Sequence, residues 1–199
     1  MGKQKLRYGS SRFYFALKFI AMTPSTFLRS LFSVFFFVLF SCQSATPEKY
    51  FDVTVLNTNM LTGFGTEGLY RELEQPSVKL NQATGKTESM KRSEVIADKI
   101  AWAEESLKKI KALHPTDETK DMLQTSTALY EYVMPVYKTD YTQLAKLYDD
   151  GAPKIQIEAK AREIYEKHYP HFEEQYQKLI ALGKPYAAKH NIKVEWGGM

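Results

Sequence analysis

The sequence contains one cysteine, Cys42, in 199 residues. That excludes an internal disulfide and any CxxC zinc or redox site, and the missing CxxCH excludes covalently attached c-type haem. Acidic residues are absent from the first 41 positions, where Lys3, Lys5, Arg7, Arg12, Lys18 and Arg29 all lie. The formal charge of +4 arises there: without those six cations, 21 basic residues face 23 acidic ones, a net of −2. The remainder offers a polyanion no basic excess, so nucleic acid is not an expected partner. No serine-hydrolase elbow, phosphate-binding glycine loop or HExxH is present. Gly63-x-Gly65-x-x-Gly68 does match a dinucleotide-binding spacing. What precedes it reads as helix rather than as the strand of a βαβ unit, so the match is taken as coincidence. With 44% hydrophobic and 25% charged residues, the chain is neither disordered nor collagen-like. Its length fits one domain, or one domain with an appendage.

Residues 31–40 read LFSVFFFVLF, with only Ser33 polar. Ten helical residues span about 15 Å, half of a bilayer core, which is too short for a transmembrane helix. The run has the length of a signal-peptide apolar region, with Arg29 as its positive flank. It ends Leu39-Phe40-Ser41-Cys42, which resembles the lipobox of bacterial lipoproteins. The resemblance implies cleavage before Cys42 and lipidation of its thiol. An ordinary cleaved signal, or an uncleaved anchor that includes the apolar residues 13–20, is the alternative. Lys18, Pro24 and Arg29 interrupt such a span, and charges at mid-membrane are costly. Met22 opens a signal of conventional length, so translation is expected to start there. Residues 1–41 are thus read as signal peptide and 42–46 as a lipidated tether, with a folded domain over 47–199. The four residues of tether reach roughly 14 Å, which keeps the domain close to the membrane surface.

The domain reads as all-α. Thr46-Pro47-Glu48 combines an N-cap, an N1 proline and a first-turn acid. Val53, Leu56, Met60 and Phe64 then recur at helical spacing and predict a helix over 47–75, weakest at Gly63, Gly65 and Gly68. Phe51, Val53 and Val55 also alternate, so a short strand is the rival reading. Pro76 opens a polar loop through Gly85. Ile96, Ile100, Ala103, Leu107 and Ile110 form the seam of a second helix, which His114-Pro115 stops. A third helix is expected over 117–148, its seam being Leu123, Thr127, Tyr130, Met134, Tyr137, Tyr141, Leu144 and Tyr148, with a kink at Pro135. Asp149-Asp150-Gly151-Ala152-Pro153 is a turn into a fourth helix, which Pro170 interrupts and Gly183 with Pro185 break. Short links between four amphipathic segments predict an up-down-up-down four-helix bundle.

Chemistry-bearing residues are few. His168, His171 and Glu174 follow one another at i, i+3 spacing on a helix face and form the candidate metal site. Against it, no Glu-x-x-His of the di-iron type occurs, and Pro170 lies between the two histidines. An axial haem pair would need Met60 and a histidine of the last helix, a weak signal in any helical protein. Tyr130, Tyr137, Tyr141, Tyr148, Tyr165, Tyr169 and Tyr176 crowd the last two helices. They read either as the edge of the core or as a ligand groove or contact strip.

The phenylalanine-rich signal ending Phe-Ser-Cys, the His114-Pro115-Thr116-Asp117 opening of the third helix and the tail Ala187-Ala188-Lys189-His190-Asn191-Ile192 together resemble small helical lipoproteins of unknown function. These occur in Bacteroidetes and spirochaetes and include a leptospiral surface-protein family. The resemblance implies an envelope address and no catalytic residues. Gln43 after the cysteine resembles the outer-membrane rather than inner-membrane sorting signal of enterobacteria. The expectation is therefore a lipid-anchored, non-enzymatic envelope protein without a cofactor, bound to the membrane through acyl chains on Cys42 and to an envelope protein partner. The alternative is a small-ligand, metal or haem binder that uses the bundle interior.

Overall fold

Thr46 caps the first helix as its chemistry dictates. Its hydroxyl accepts the Lys49 amide at 3.3 Å, and Pro47 opens helix α1, Pro47–Thr54. The computed structural model describes residues 45–196, so the signal, start-site and Cys42 assignments lie outside the described residues. The described chain belongs to a compact unit with its own core, and it is predominantly helical with one small hairpin.

The long first helix expected over 47–75 does not form. After eight residues α1 gives way to a 3-10 turn, Leu56–Leu61, and a glycine loop leads into α2, Glu67–Glu74. Gly63 and Gly65 sit at φ of +91° and +67°, a backbone region that right-handed helices do not visit. Thr66 then caps α2 through the Gly68 amide at 3.1 Å. The expected polar loop after Pro76 contains an antiparallel hairpin, β1 (Ser77–Leu80) with β2 (Thr87–Met90), in the register Ser77 to Met90 and Leu80 to Thr87. Its turn is held by the Asn81 carboxamide oxygen, which accepts the Ala83 and Thr84 amides.

Helix α3, Arg92–Lys111, buries Ile96, Ala103 and Ile110 of its expected seam and ends ahead of His114-Pro115. Its first turn is capped from a distance: Asp149 accepts the Arg92 and Ser93 amides at 2.8 and 3.0 Å. Helix α4, Lys120–Val136, begins three residues later than expected, because Thr116 and Thr119 first close a turn through their hydroxyls. Just after Pro135 the helix widens into a π turn, Tyr137–Tyr141, and resumes as α5, Thr142–Asp149. The extra residue of a π turn changes the phase of everything beyond it. Upstream, Leu123 and Tyr130 of the expected seam are buried, but Thr127 and Met134 are only half-buried, and the core face is shared with Met122, Ser126, Leu129 and Val133, each one position earlier; downstream, Tyr137, Tyr141 and Leu144 bury as expected.

Helix α6, Lys154–Lys189, runs unbroken for 36 residues, about 54 Å. Pro170 and Pro185 lie inside it without ending it, and Gly183 is not a stop. Gly183 instead lets α6 approach α1: a Cβ there would come within 3.0 Å of the Val55 side chain. The real terminus is at His190, followed by Asn191 in the left-handed region, with the Ile192 amide returning to the Ala187 carbonyl. The long helices pack as α4 between α3 and α6, with α5 bridging the same two. The start of α1 lies at the end of the unit where α3 finishes and α6 terminates. There the Tyr50 hydroxyl donates to the His114 carbonyl at 2.5 Å, and His190 pairs with Glu118 at 2.8 Å. The hairpin and the α5–α6 turn lie toward the opposite end of α3, where Asp149 caps it.

Candidate functional site

The three residues of the expected metal site do not converge. His168 is buried, whereas His171 and Glu174 are exposed. His168 instead joins a polar cluster that ties α6 to α4 and to the π turn. Its Nδ1 lies 3.0 Å from the Tyr132 hydroxyl, and its Nε2 faces Asp140 Oδ2 at 3.3 Å without the alignment of a hydrogen bond. The other oxygen of Asp140 accepts from Lys160 at 2.7 Å, and Lys160 also reaches Glu163 at 3.2 Å. His171 meets the Tyr132 ring edge-on at 4.4 Å. Among the described residues, no group of three or more His, Cys, Asp and Glu is placed to hold a metal ion. Met60, the other half of the haem pair considered above, is 56% exposed on the 3-10 turn beside the hairpin.

The electrostatics of this cluster follow from burial and pairing. Burial pushes His168 below its ordinary imidazole value, and the Asp140 charge only partly opposes it. Burial works against the Asp140 carboxylate too, but the Lys160 ammonium outweighs it and holds the carboxyl below its usual range. Lys160 is raised in turn, since Asp140 and Glu163 overcome its own desolvation. The Asp140 charge is therefore already balanced, and His168 is a neutral imidazole with Asp140 as its nearest anion. This arrangement locks three elements together. It presents no activated nucleophile to a substrate.

The tyrosines divide between the two readings. Tyr130, Tyr137 and Tyr141 are fully buried, and Phe64 packs against Tyr137, Tyr141 and Phe172 with ring centroids 4.8–5.7 Å apart. Burial raises all three phenols, so they remain neutral. The Tyr141 hydroxyl accepts the Gly65 amide at 2.6 Å, which satisfies a buried donor of the glycine loop. Tyr165 and Tyr169 belong to the other reading. They stack on each other on α6, centroids 5.2 Å apart and planes 14° apart, and Tyr165 is 48% exposed.

These two rings line a groove of about 990 Å³ between α2 and the first half of α6. Tyr70 and Arg71 contribute from α2; Glu158, Arg162 and Glu166 contribute from α6. Burial and the Glu74 carboxylate push the Tyr70 phenol up to about 12. The groove exists because the glycine loop rests on α6 at Tyr169 while α2 packs against α5, which leaves a gap between α2 and α6. Gly65 lies so close to Tyr169 that a Cβ would come within 3.0 Å of its Cα. Gly68 abuts Gly63 just as closely, so each glycine of the GxGxxG spacing has a packing reason. Reading 47–75 as one helix hid α2 and with it this groove. The glycine cluster was the signal that could have exposed it. No family model, curated protein or solved structure matches the chain.

Proposed function

We propose that this chain is a lipid-anchored cell-envelope protein whose helical body is a non-enzymatic binding module. The observation that carries the reading is the placement of the only cysteine: Cys42 directly follows the apolar run 31–40 and Ser41, four residues ahead of the helix-capping Thr46. Acylation would consume the thiol at that position. More than one acyl chain gives stable anchoring, at about 0.8 kcal/mol per buried CH₂. Among the described residues, no helix is long and apolar enough to cross a membrane, so attachment through the tether suits this body. Outer-membrane sorting is favoured by Gln43. The body is read as an up-down four-helix bundle whose first member, α1 with α2, is in two pieces. Its contact face is the α2–α6 groove, where exposed aromatic and charged groups converge. The half-buried, mutually paired Asp140 and Lys160 support a structural role for the His168 cluster rather than a catalytic one.

The anchor is tested by growth with radiolabelled palmitate and by membrane fractionation. Wild type is expected to carry label and sediment with membranes, whereas Cys42→Ala carries none and is not processed at Ser41. Equal processing and retention of the two proteins overturns the address. Pull-down from detergent-solubilised envelope tests for a protein partner.

A further inference from the structure

We propose that the groove between α2 and α6 binds a saccharide, with the apolar face of a pyranose ring seated on Tyr165. The proposal rests on the reading of this body as a binding module, and it names the class of ligand.

Tyr165 is a large aromatic side chain left half-exposed on a regular helix, whereas most of the other aromatic rings among the described residues are buried. It is also held rigidly. Its ring lies flat on Tyr169, and the Tyr169 backbone is pressed against Gly65, where nothing larger than hydrogen fits. A surface fixed from beneath loses little freedom when a ligand settles on it. The negative face of an aromatic ring attracts the weakly positive axial C–H groups that one face of a pyranose presents. The groups around the platform suit the hydroxyls at the sugar's rim. Arg162 makes no ion pair among the described residues and offers a planar fork of donors. Glu158 and Glu166 on the same helix are acceptors, and the Arg71–Glu67 pair faces them from α2.

Charge discriminates between ligand classes. Two arginines and three glutamates leave the lining near neutrality with a slight negative excess. Nucleic acids and anionic lipid surfaces are drawn by concentrated positive charge, which this groove lacks. A neutral polyol needs alternating donors and acceptors beside an apolar shelf, and these are present. The volume, at the upper end of the range for ligand sites, accommodates more than one sugar ring.

The test uses the full-length protein in a detergent without a sugar headgroup, titrated calorimetrically with chitotetraose and, separately, maltotetraose. Binding of at least one is expected. Tyr165→Ala should weaken it at least tenfold, Arg162→Ala severalfold, and Tyr165→Phe by less than twofold, since the aromatic face rather than the hydroxyl is used. Both positions are exposed enough that melting temperature should hold in all three variants, and circular dichroism checks this. Ile155→Ala, on the same helix and 75% exposed, should bind as wild type does. No heat from either sugar up to millimolar concentration overturns the proposal, as does binding that survives Tyr165→Ala. Cys42→Ala should bind sugar normally, so loss of the anchor and loss of the ligand are read separately.

Discussion

Residues 47–74 and residues 92–189 supply the core by opposite means. The long helices α3, α4 and α6 carry their own hydrogen-bond ladders over 20, 17 and 36 residues and bury a stripe of each. The N-terminal stretch has two helices of eight residues, far below the length at which an isolated helix persists in water. Yet Phe51, Leu61, Phe64 and Leu73 on that stretch are completely buried. Its shape is imposed from outside, by cross-bonds to the later elements. Ser126 donates to the Thr54 carbonyl at 2.9 Å, Tyr50 donates to His114, and Tyr141 accepts from Gly65. Regular helices can be specified by a repeating stripe. A stretch like 47–74 is specified by a few contacts, each of which matters more.

The largest effect expected from this contrast is at Gly65. Gly65→Ala meets both a positive φ and the Tyr169 backbone and should cost about 3 kcal/mol. Gly151, at the α5–α6 turn, has the same φ of +67° but open space around it, so Gly151→Ala should cost only about 1 kcal/mol. Urea melts of the two variants measure the gap, and equal losses would erase the distinction between the regions. A smaller effect is expected at Tyr141. Tyr141→Phe leaves the buried Gly65 amide without its acceptor and should cost about 2 kcal/mol. Its exposed counterpart Tyr165→Phe should stay within about 0.5 kcal/mol. Amide exchange at Gly65, faster in Tyr141→Phe, would locate the loss.

The smallest effect concerns the cluster joining the long helices, and it depends on pH. Facing His168 are Asp140 and Lys160, with Tyr132 and His171 from the α4 side and its own turn, and Lys167 beside it. Burial depresses the imidazole below 6.5, so the unfolded chain takes up the proton first as pH falls. The stabilisation from keeping His168 neutral is therefore complete above about pH 6.5 and declines below it. His168→Gln should flatten the fall in stability between pH 7 and 5 without removing the separate loss expected at more acid pH, which begins once the unfolded carboxyl takes up its proton while Lys160 still holds Asp140 ionised. Parallel pH profiles for variant and wild type would refute this assignment.

How much of this was legible in the residues depended on how local the cause was. The Thr46-Pro47-Glu48 start, the α3 stripe and the stop at His114-Pro115 are decided within a few residues, and each stands as expected. The helical class follows from them. The seam of α4 holds at Leu123 and Tyr130, but the centre of the buried face lies one position earlier, because a π turn after Pro135 adds a residue that no periodicity reveals in advance. Pro170 and Pro185 were overvalued, since the flanking helix is held on both sides by packing against α4 and α1. The hairpin was missed because strands of four largely exposed residues show no alternation. His168, His171 and Glu174 share sequence spacing but not surroundings, and Tyr132 and Asp140, which do meet His168, lie 36 and 28 positions away. Of the tyrosines, only the neighbours across the fold separate Tyr141, in the core, from Tyr165, at the groove.

The length of α6 has a bearing on reach. Its C-terminal turn lies beside the capped beginning of α1, and Tyr165 comes 24 residues before Lys189, roughly 36 Å along the axis. The helix therefore works as a spar: it sets the tyrosine shelf roughly 36 Å from the end of the body at which the chain enters α1, so whatever holds the chain at Thr46 and whatever settles on Tyr165 act at separate places.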